Sequence, residues 1–173
     1  LAYASKLYRN NKNLSDMENF SINGNEVVFG TIGDASTSEG HFWEAINACG
    51  VLQVPLVMSI WDDGYGISVP SEYHTTRNDL SKALSGFQRS SKKENGYEIF
   101  TVHAWDYINL LKTYQKAEKL AREDHVPCII HVKDVTQPQG HTTSGSHERY
   151  KSKERLNWEK DFCCIKRMRE WII

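Results

Sequence analysis

The sequence lacks several features that would place it in common classes of protein. Its 173 residues include four cysteines, none in a C-x-x-C pair, which argues against a zinc or redox site of that spacing and favours reduced thiols. The formal net charge is -1 with acids and bases interspersed, so no nucleic-acid-binding surface is indicated. No apolar run approaches the roughly 20 residues that a membrane helix needs. We therefore predict a cytoplasmic protein that binds neither nucleic acid nor membrane.

Both ends of the sequence are unusual for natural termini. Residues 1–7 have the pattern of a helix interior with no N-cap before it, and the last three residues are Trp171, Ile172 and Ile173. The length suits one domain with a real core. We therefore expect residues 1–173 to be one partial domain of a larger polypeptide.

Short runs of β-branched residues alternate with helical patterns along the chain. The runs predict buried strands at residues 27–32, 55–61, 97–103 and 127–135. Apolar residues at helical spacing predict helices at residues 39–52, 79–87 and 106–123, and a final amphipathic helix at 151–173 with Phe162, Ile165 and Met168 on one side. This alternation predicts an α/β fold, a doubly wound and mostly parallel sheet with helices on both faces.

Acidic residues follow two successive strands. Asp34 follows the first strand after Gly33, and Asp62 and Asp63 follow the second, about 30 residues further on, which is the length of one crossover unit. Parallel strands end on one edge of the sheet, where α/β proteins place ligands. Carboxylates this close repel one another unless a cation lies between them, and magnesium binds one or two carboxylates together with phosphate oxygens. The small residues after Asp34 would let backbone N–H groups approach a phosphate.

Other interpretations of Asp34 remain open at this point. An aspartate after a strand is often only the N-cap of the next helix. It can also be a phosphoacceptor, although that site normally has further acids or a lysine nearby. The second acidic loop favours a metal–phosphate site over both.

The same residues resemble a known motif. The stretches that carry the resemblance are Gly33-Asp34-Ala35, Glu39-Gly40, Glu44-Ala45, Asn47, Pro55, Asp62-Asp63-Gly64-Tyr65-Gly66-Ile67-Ser68, Trp105-Asp106 and Gly140-His141-Thr142-Thr143-Ser144. In this order they are similar to the thiamine-diphosphate motif, and most closely to the α chain of the 2-oxoacid dehydrogenases. The resemblance covers about residues 25–150 and implies the thiamine diphosphate-binding fold.

The resemblance implies roles for particular residues. Asp34 and Asp63 would bind magnesium through their side chains, Tyr65 would bind it through its carbonyl, and His141 would be catalytic, on an active-site loop at residues 136–150. The residues implied in cofactor binding are Gly33, Asp34, Ala35, Ser36, Asp63, Tyr65, Ile67 and His141.

Two positions depart from the family pattern. Ala35 stands where the motif has its third-position glycine, so its methyl group must avoid the diphosphate and its φ must be negative. Asp63 stands where the family has asparagine, which adds a charge that the metal or nearby cations must offset. A register shifted by one residue would make Asp62 the ligand, but Asp63 keeps Tyr65 two residues further on, as in the family.

The implied function is decarboxylation of a small 2-oxoacid, of the 2-oxoisovalerate or pyruvate type, and transfer of the acyl group to lipoyl. The implied partners are a pyrimidine-binding (β-type) domain or subunit and a lipoyl-bearing dihydrolipoamide acyltransferase, in an oligomeric multienzyme complex. The helix at 151–173 would lead to the missing domain, and residues 1–173 alone would be inactive. The alternatives are a transketolase-like or acetoin-cleaving thiamine enzyme and a non-catalytic assembly domain.

Overall fold

The computed structural model describes residues 1–14, 16–141 and 146–173. Its strands are β1 (Val28–Gly33), β2 (Leu56–Trp61), β3 (Tyr65–Gly66), β4 (Val69–Pro70), β5 (Glu98–His103) and β6 (Cys128–Lys133). Its α-helices are α1 (Ala2–Asn10), α2 (Gly40–Leu52), α3 (Leu80–Ala83), α4 (Tyr107–Asp124), α5 (Lys153–Asp161) and α6 (Cys164–Ile172). Short 3-10 turns lie between them, among them Ala35–Ser38 directly after β1.

The central sheet has four parallel strands in the order β1-β2-β6-β5. Helix α4 packs on one face, where Ala117 and Ala121 contact Cys128 and Ile130. Helices α2 and α3 pack on the other face against Ile129 and its neighbours. The predicted doubly wound α/β fold is therefore confirmed. Among the described residues, no helix combines the length and the apolar content that crossing a bilayer requires.

The alternation of side chains along β6 explains why this strand is central. Cys128 and Ile130 point to the α4 face and Ile129 to the α2 face, and all three are fully buried. A strand that is apolar on both faces must lie inside the sheet. The parallel pairing of β1 with β2 places the carboxyl ends of these two strands side by side, since Ile32 pairs with Ile60 and Gly33 with Trp61.

The prediction of one helix over residues 151–173 is wrong. Helix α5 ends at Asp161 and helix α6 begins at Cys164, because Cys163 has φ -52° and ψ 116°, which is not helical. The Cys164 N–H donates to the hydroxyl oxygen of Thr136 at 3.1 Å, so the chain turns there to meet the end of the sheet. The predicted apolar face is also broken, since Ile165 is 83% exposed.

Candidate functional site

A cavity of about 680 Å³ opens at the carboxyl ends of β1 and β2. Its lining residues are Gly33, Asp34, Ala35, Ser36, Glu39, Trp61, Asp63, Tyr65, Gly66, Ile67, Val135, Gln137 and His141. All eight residues that the sequence predicted for cofactor binding are in this set. Residues 142–145 of the predicted Gly-His-Thr loop lie outside the described residues.

Asp34 occupies the position between β1 and the turn that follows. Its backbone N–H donates to the Trp61 carbonyl at 3.0 Å, which ties the ends of β1 and β2 together. Its side chain makes no capping hydrogen bond to the Ala35–Ser38 turn, so the N-cap interpretation has no support in the structure. The residue is 3% exposed, and among the described residues its Oδ2 atom has no hydrogen-bond partner.

This burial has an electrostatic consequence. Burial first, and then the charges of Asp62 and Asp63, raise the pKa of Asp34 to about 7, against the opposing effect of the backbone amides of Ala35 and Asp34. A carboxylate in this environment gains strongly from a cation.

Asp62 is held by bonds that point away from the cavity. Its Oδ1 accepts the Gly64 N–H at 2.9 Å, and its Oδ2 accepts from Nε2 of His131 at 2.7 Å. His131 is fully buried, and its Nδ1 lies 2.7 Å from the Ser81 hydroxyl. Burial acts to raise the pKa of Asp62, but the hydrogen bond and charge of His131, together with the Gly64 amide and the charge of Lys133, leave that pKa below its ordinary value.

Asp63 faces the cavity instead. Its Oδ1 accepts the Tyr65 N–H at 3.2 Å. Its Oδ2 lies 3.2 Å from Nε2 of His141 but, among the described residues, has no hydrogen bond of good geometry. Burial raises the pKa of Asp63, opposed by His141, the Tyr65 amide, Lys151 and Arg155.

A buried ionic cluster from α5 and the segment before it supports this loop. Lys151 Nζ donates to both carboxylate oxygens of Glu159, at 2.8 and 3.0 Å, and Glu159 is fully buried. Arg155 donates from Nε to Glu159 at 2.7 Å and from Nη2 to the Asp63 carbonyl at 2.6 Å. Both cations also lie over the ring of Tyr65. The cluster therefore joins α5 to the acidic loop and places positive charge beside Asp63.

The backbone after the acidic loop is strained at one residue. Ile67 lies between β3 and β4 with φ +59°, a region that β-branched residues rarely adopt, and it is 59% exposed at the cavity. Strain of this kind persists where the surrounding structure imposes it, and it is frequent at ligand sites.

Gly66 leaves room for the methyl group of Ala35, which stands where the family motif has glycine. Ala35 is not among the residues with positive φ. A Cβ on Gly66 would lie only 2.8 Å from the Ala35 Cβ, so the methyl group lies against Gly66. The backbone condition set by the sequence is therefore met.

Two residues near the acidic cluster were missed by the sequence analysis. Trp61 ends β2, lines the cavity and is 53% exposed, and its position directly before Asp62 was the available signal. His74 was interpreted as structural, yet its Nε2 lies 4.0 Å from Asp34 Oδ2. Its separation from the motif residues left no spacing that could have identified it.

Comparisons with known proteins identify the family of this chain. The model of the family described as dehydrogenase E1 component matches residues 1–173. This chain belongs to the dehydrogenase E1 component family. The predicted family resemblance is thus confirmed, and the E1 fold is the α/β sheet described above.

Similar E1 subunits come from animals and bacteria. Mouse 2-oxoisovalerate dehydrogenase subunit alpha, mitochondrial, is 24% identical over 153 residues, which are 87% of this chain and 32% of the mouse protein. The pyruvate dehydrogenase E1 component subunit alpha of Rickettsia bellii is 26% identical over 86% of this chain and 43% of its own length. The 3-methyl-2-oxobutanoate dehydrogenase subunit alpha of Mycobacterium tuberculosis is 26% identical over 79% of this chain and 35% of its own. The matched part of the chain thus spans 32 to 43% of the length of these relatives.

Proposed function

We propose that this chain is the diphosphate- and magnesium-binding part of a thiamine-dependent 2-oxoacid dehydrogenase. The observation that carries the proposal is a pair of buried carboxylate oxygens, Asp34 Oδ2 and Asp63 Oδ2, at adjacent strand ends. Both belong to residues lining one cavity, and neither has a hydrogen-bond partner among the described residues. Such atoms are costly unless a cation binds them.

The donor set suits magnesium better than a metal held by protein alone. In the described ranges, no group of three or more His, Cys, Asp or Glu side chains is placed to hold a metal ion. Magnesium needs no such cage, because it accepts one or two carboxylates and completes its shell with phosphate oxygens and water. Asp34, Asp63 and the Tyr65 carbonyl would be the protein ligands. Asp62 is the weaker candidate, since His131 and the Gly64 amide already use both its oxygens.

The residues after Asp34 suit the diphosphate. The turn Ala35–Ser38 begins at the cavity, and the first amides of a helical turn have no acceptor within it. The N–H groups of Ala35 and Ser36 can therefore donate to phosphate oxygens, and Gly33 leaves space beside them. The strained Ile67 would contact the cofactor from the opposite loop.

His141 would act at the reacting end of the site. Its Nε2 lies 3.2 Å from Asp63 Oδ2, and its side chain is 28% exposed at the cavity. The ring therefore lies beside Asp63 at the cavity, where a ring nitrogen would donate a hydrogen bond to substrate or cofactor. When bound, thiamine diphosphate supplies the carbanion chemistry that cleaves the bond to the carboxylate of a 2-oxoacid.

The activity, substrate and partners belong to this proposal as well. The relatives are named as 2-oxoisovalerate, pyruvate and 3-methyl-2-oxobutanoate dehydrogenase subunits, which supports a small 2-oxoacid as substrate. We expect a pyrimidine-binding domain or subunit and a lipoyl-bearing acyltransferase as partners, and residues 1–173 alone to be inactive. Cytoplasmic location stays a prediction, since some relatives are named as mitochondrial.

Calorimetric titration of the full-length protein, with its partner subunit if separate, tests this proposal. We expect thiamine diphosphate to bind only with Mg²⁺, and Asp34→Ala to weaken binding at least about a hundredfold because it removes a metal ligand. The matched control is Asp124→Ala, an exposed aspartate at the end of α4. Unchanged binding by Asp34→Ala would contradict the site.

Activity assays and the same titration on the full-length protein distinguish the rival functions. We expect dye reduction dependent on 2-oxoisovalerate or pyruvate and no ketol transfer. Ketol transfer would favour a transketolase-like enzyme, and absence of heat at high cofactor concentration would favour an assembly domain.

A further inference from the structure

His74 is a partly buried polar residue beside Asp34 that the proposed function has not used. It follows the β3–β4 hairpin, and its side chain is 13% exposed. Its Nε2 lies 4.0 Å from Asp34 Oδ2, which is too far for a hydrogen bond. In the part of the chain that the structure describes, neither atom has a hydrogen-bond partner. Two unpartnered buried atoms this close indicate a place that a ligand completes.

Several contacts hold the imidazole ring in place. The Thr75 hydroxyl lies 2.9 Å from Nδ1, and the Ser38 hydroxyl donates to the His74 carbonyl at 2.6 Å. The ring also lies beside Gly66, where an added Cβ would be 3.7 to 3.8 Å from its atoms. We assign the proton of the neutral ring to Nε2, because the Thr75 hydroxyl can donate to Nδ1. The N–H group that this leaves on Nε2 is on the side of Asp34.

The charge of the cavity explains the need for such a donor. Its lining includes the carboxylates of Asp34, Glu39 and Asp63, and no lysine or arginine among the described residues. His141 is beside Asp63. A metal–diphosphate group bound there would bring further anionic oxygens, and on the Asp34 side His74 would add a side-chain donor to the backbone N–H groups of Ala35 and Ser36.

We propose that His74 is a further binding residue of this site, whose Nε2–H donates to an anionic oxygen of the diphosphate bound beside Asp34. The inference rests on the proposed function and adds to it a specific side-chain contact. It also explains why the Ser38 hydroxyl ties the His74 segment to the turn that begins at Ala35. The two segments would then contact the same group.

A pair of amide variants tests the contact in the full-length protein. His74→Gln can place an N–H group near the position of Nε2, whereas the shorter His74→Asn places it near Nδ1. The probes are Mg²⁺ alone, Mg²⁺ with inorganic pyrophosphate, and Mg²⁺ with thiamine diphosphate, titrated by calorimetry. We expect His74→Asn to weaken both diphosphate probes about tenfold, and His74→Gln to stay within about threefold of the parent. Mg²⁺ alone should bind all variants equally.

The controls keep the possible failures apart. His41→Asn changes an exposed histidine on α2 and should leave all three titrations unchanged. Thermal unfolding midpoints show whether the variants are folded, and a misfolded His74→Asn is replaced by His74→Ala. Diphosphate binding unchanged by removing Nε2–H, or an equal loss with Mg²⁺ alone, would overturn the role of His74. If Asp34→Ala also binds pyrophosphate like the parent, the proposed function fails instead.

Discussion

Asp62 and Asp63 are neighbours in the chain with opposite surroundings. Asp62 turns toward the sheet, where His131 and the Gly64 amide use both its oxygens and the pKa is lowered. Asp63 turns toward the cavity, where Oδ2 has no hydrogen-bond partner among the described residues and the pKa is raised. The protein donates hydrogen bonds to both oxygens of Asp62, whereas Asp63 Oδ2 has only the 3.2 Å ion-pair contact with His141 among the described residues.

Asp34 belongs with Asp63 in this comparison. Both are buried acids at strand ends with an unpartnered Oδ2 among the described residues. The comparison shows that acidity at a strand end does not by itself indicate a metal ligand. Under the proposed function, the ligands are the acids that keep an oxygen without a hydrogen bond among the described residues, and this depends on which way each side chain faces.

Removing the hydrogen-bond donor of Asp62 should have the largest effect on stability. His131→Leu leaves the Asp62 carboxylate without its buried donor, and we expect the free energy of unfolding to fall by about 3 kcal/mol. Ser81→Ala removes only the hydroxyl that contacts the far side of the His131 ring, and should lower the free energy of unfolding by about 1 kcal/mol. Urea denaturation of the full-length protein measures both. Equal stability of the two variants would show that the His131 contact does not hold Asp62.

A smaller change in the free energy of unfolding, and a gain in stability, is expected for Asp34→Asn in cation-free protein. The pKa of Asp34 is about 7 in the folded chain against an ordinary 3.8, so its buried carboxylate costs stability as pH rises from about 4 to about 7. The neutral amide avoids this cost. We expect the Asp34→Asn variant to match the parent near pH 4 and to exceed it by roughly 2 kcal/mol at pH 8, which is about half of what the full shift would give, because structural relaxation and water entry reduce the cost of the buried charge.

Thermal and denaturant unfolding at both pH values measure this difference. Added Mg²⁺ should reduce the advantage of Asp34→Asn at pH 8, because only the carboxylate gains full charge attraction. Asp124→Asn, on the surface, should show neither effect. A constant difference between parent and Asp34→Asn across this range would contradict the raised pKa.

The smallest effect should come from Asp63→Asn. It restores the residue of the family motif and keeps an oxygen that can bind metal. The positive groups nearby, His141, Lys151 and Arg155, then lose a partner. We expect Mg²⁺-dependent binding of thiamine diphosphate to change by less than about tenfold, while Asp63→Ala loses far more. Titration calorimetry compares them, and equal losses would mean that charge matters more than coordination.

Much of the fold could be predicted because its signals are local. The apolar runs ending near Ile32 and Trp61 identify buried strands, and their alternation with helices requires parallel pairing. Parallel pairing then brings Asp34 and Asp63 to one edge. The site residues followed from this edge together with the motif.

The remaining features depend on tertiary contacts. His74 reaches Asp34 only because the β3–β4 hairpin folds back, and no spacing in the sequence shows this. The break at Cys163 was missed because the amphipathic pattern continues across it. Lys151, Arg155 and Glu159 have the composition of a solvated helix face, although their spacing of four residues was a signal for the buried cluster.

The packing of Ala35 against Gly66 links two loops that are distant in the chain. Any side chain at position 66 would collide with the Ala35 methyl group, whereas glycine at position 35 would remove that obstacle. The order in which substitutions could accumulate during divergence is therefore restricted. While alanine occupies position 35, position 66 is restricted to glycine, and a larger residue there would first require glycine at position 35.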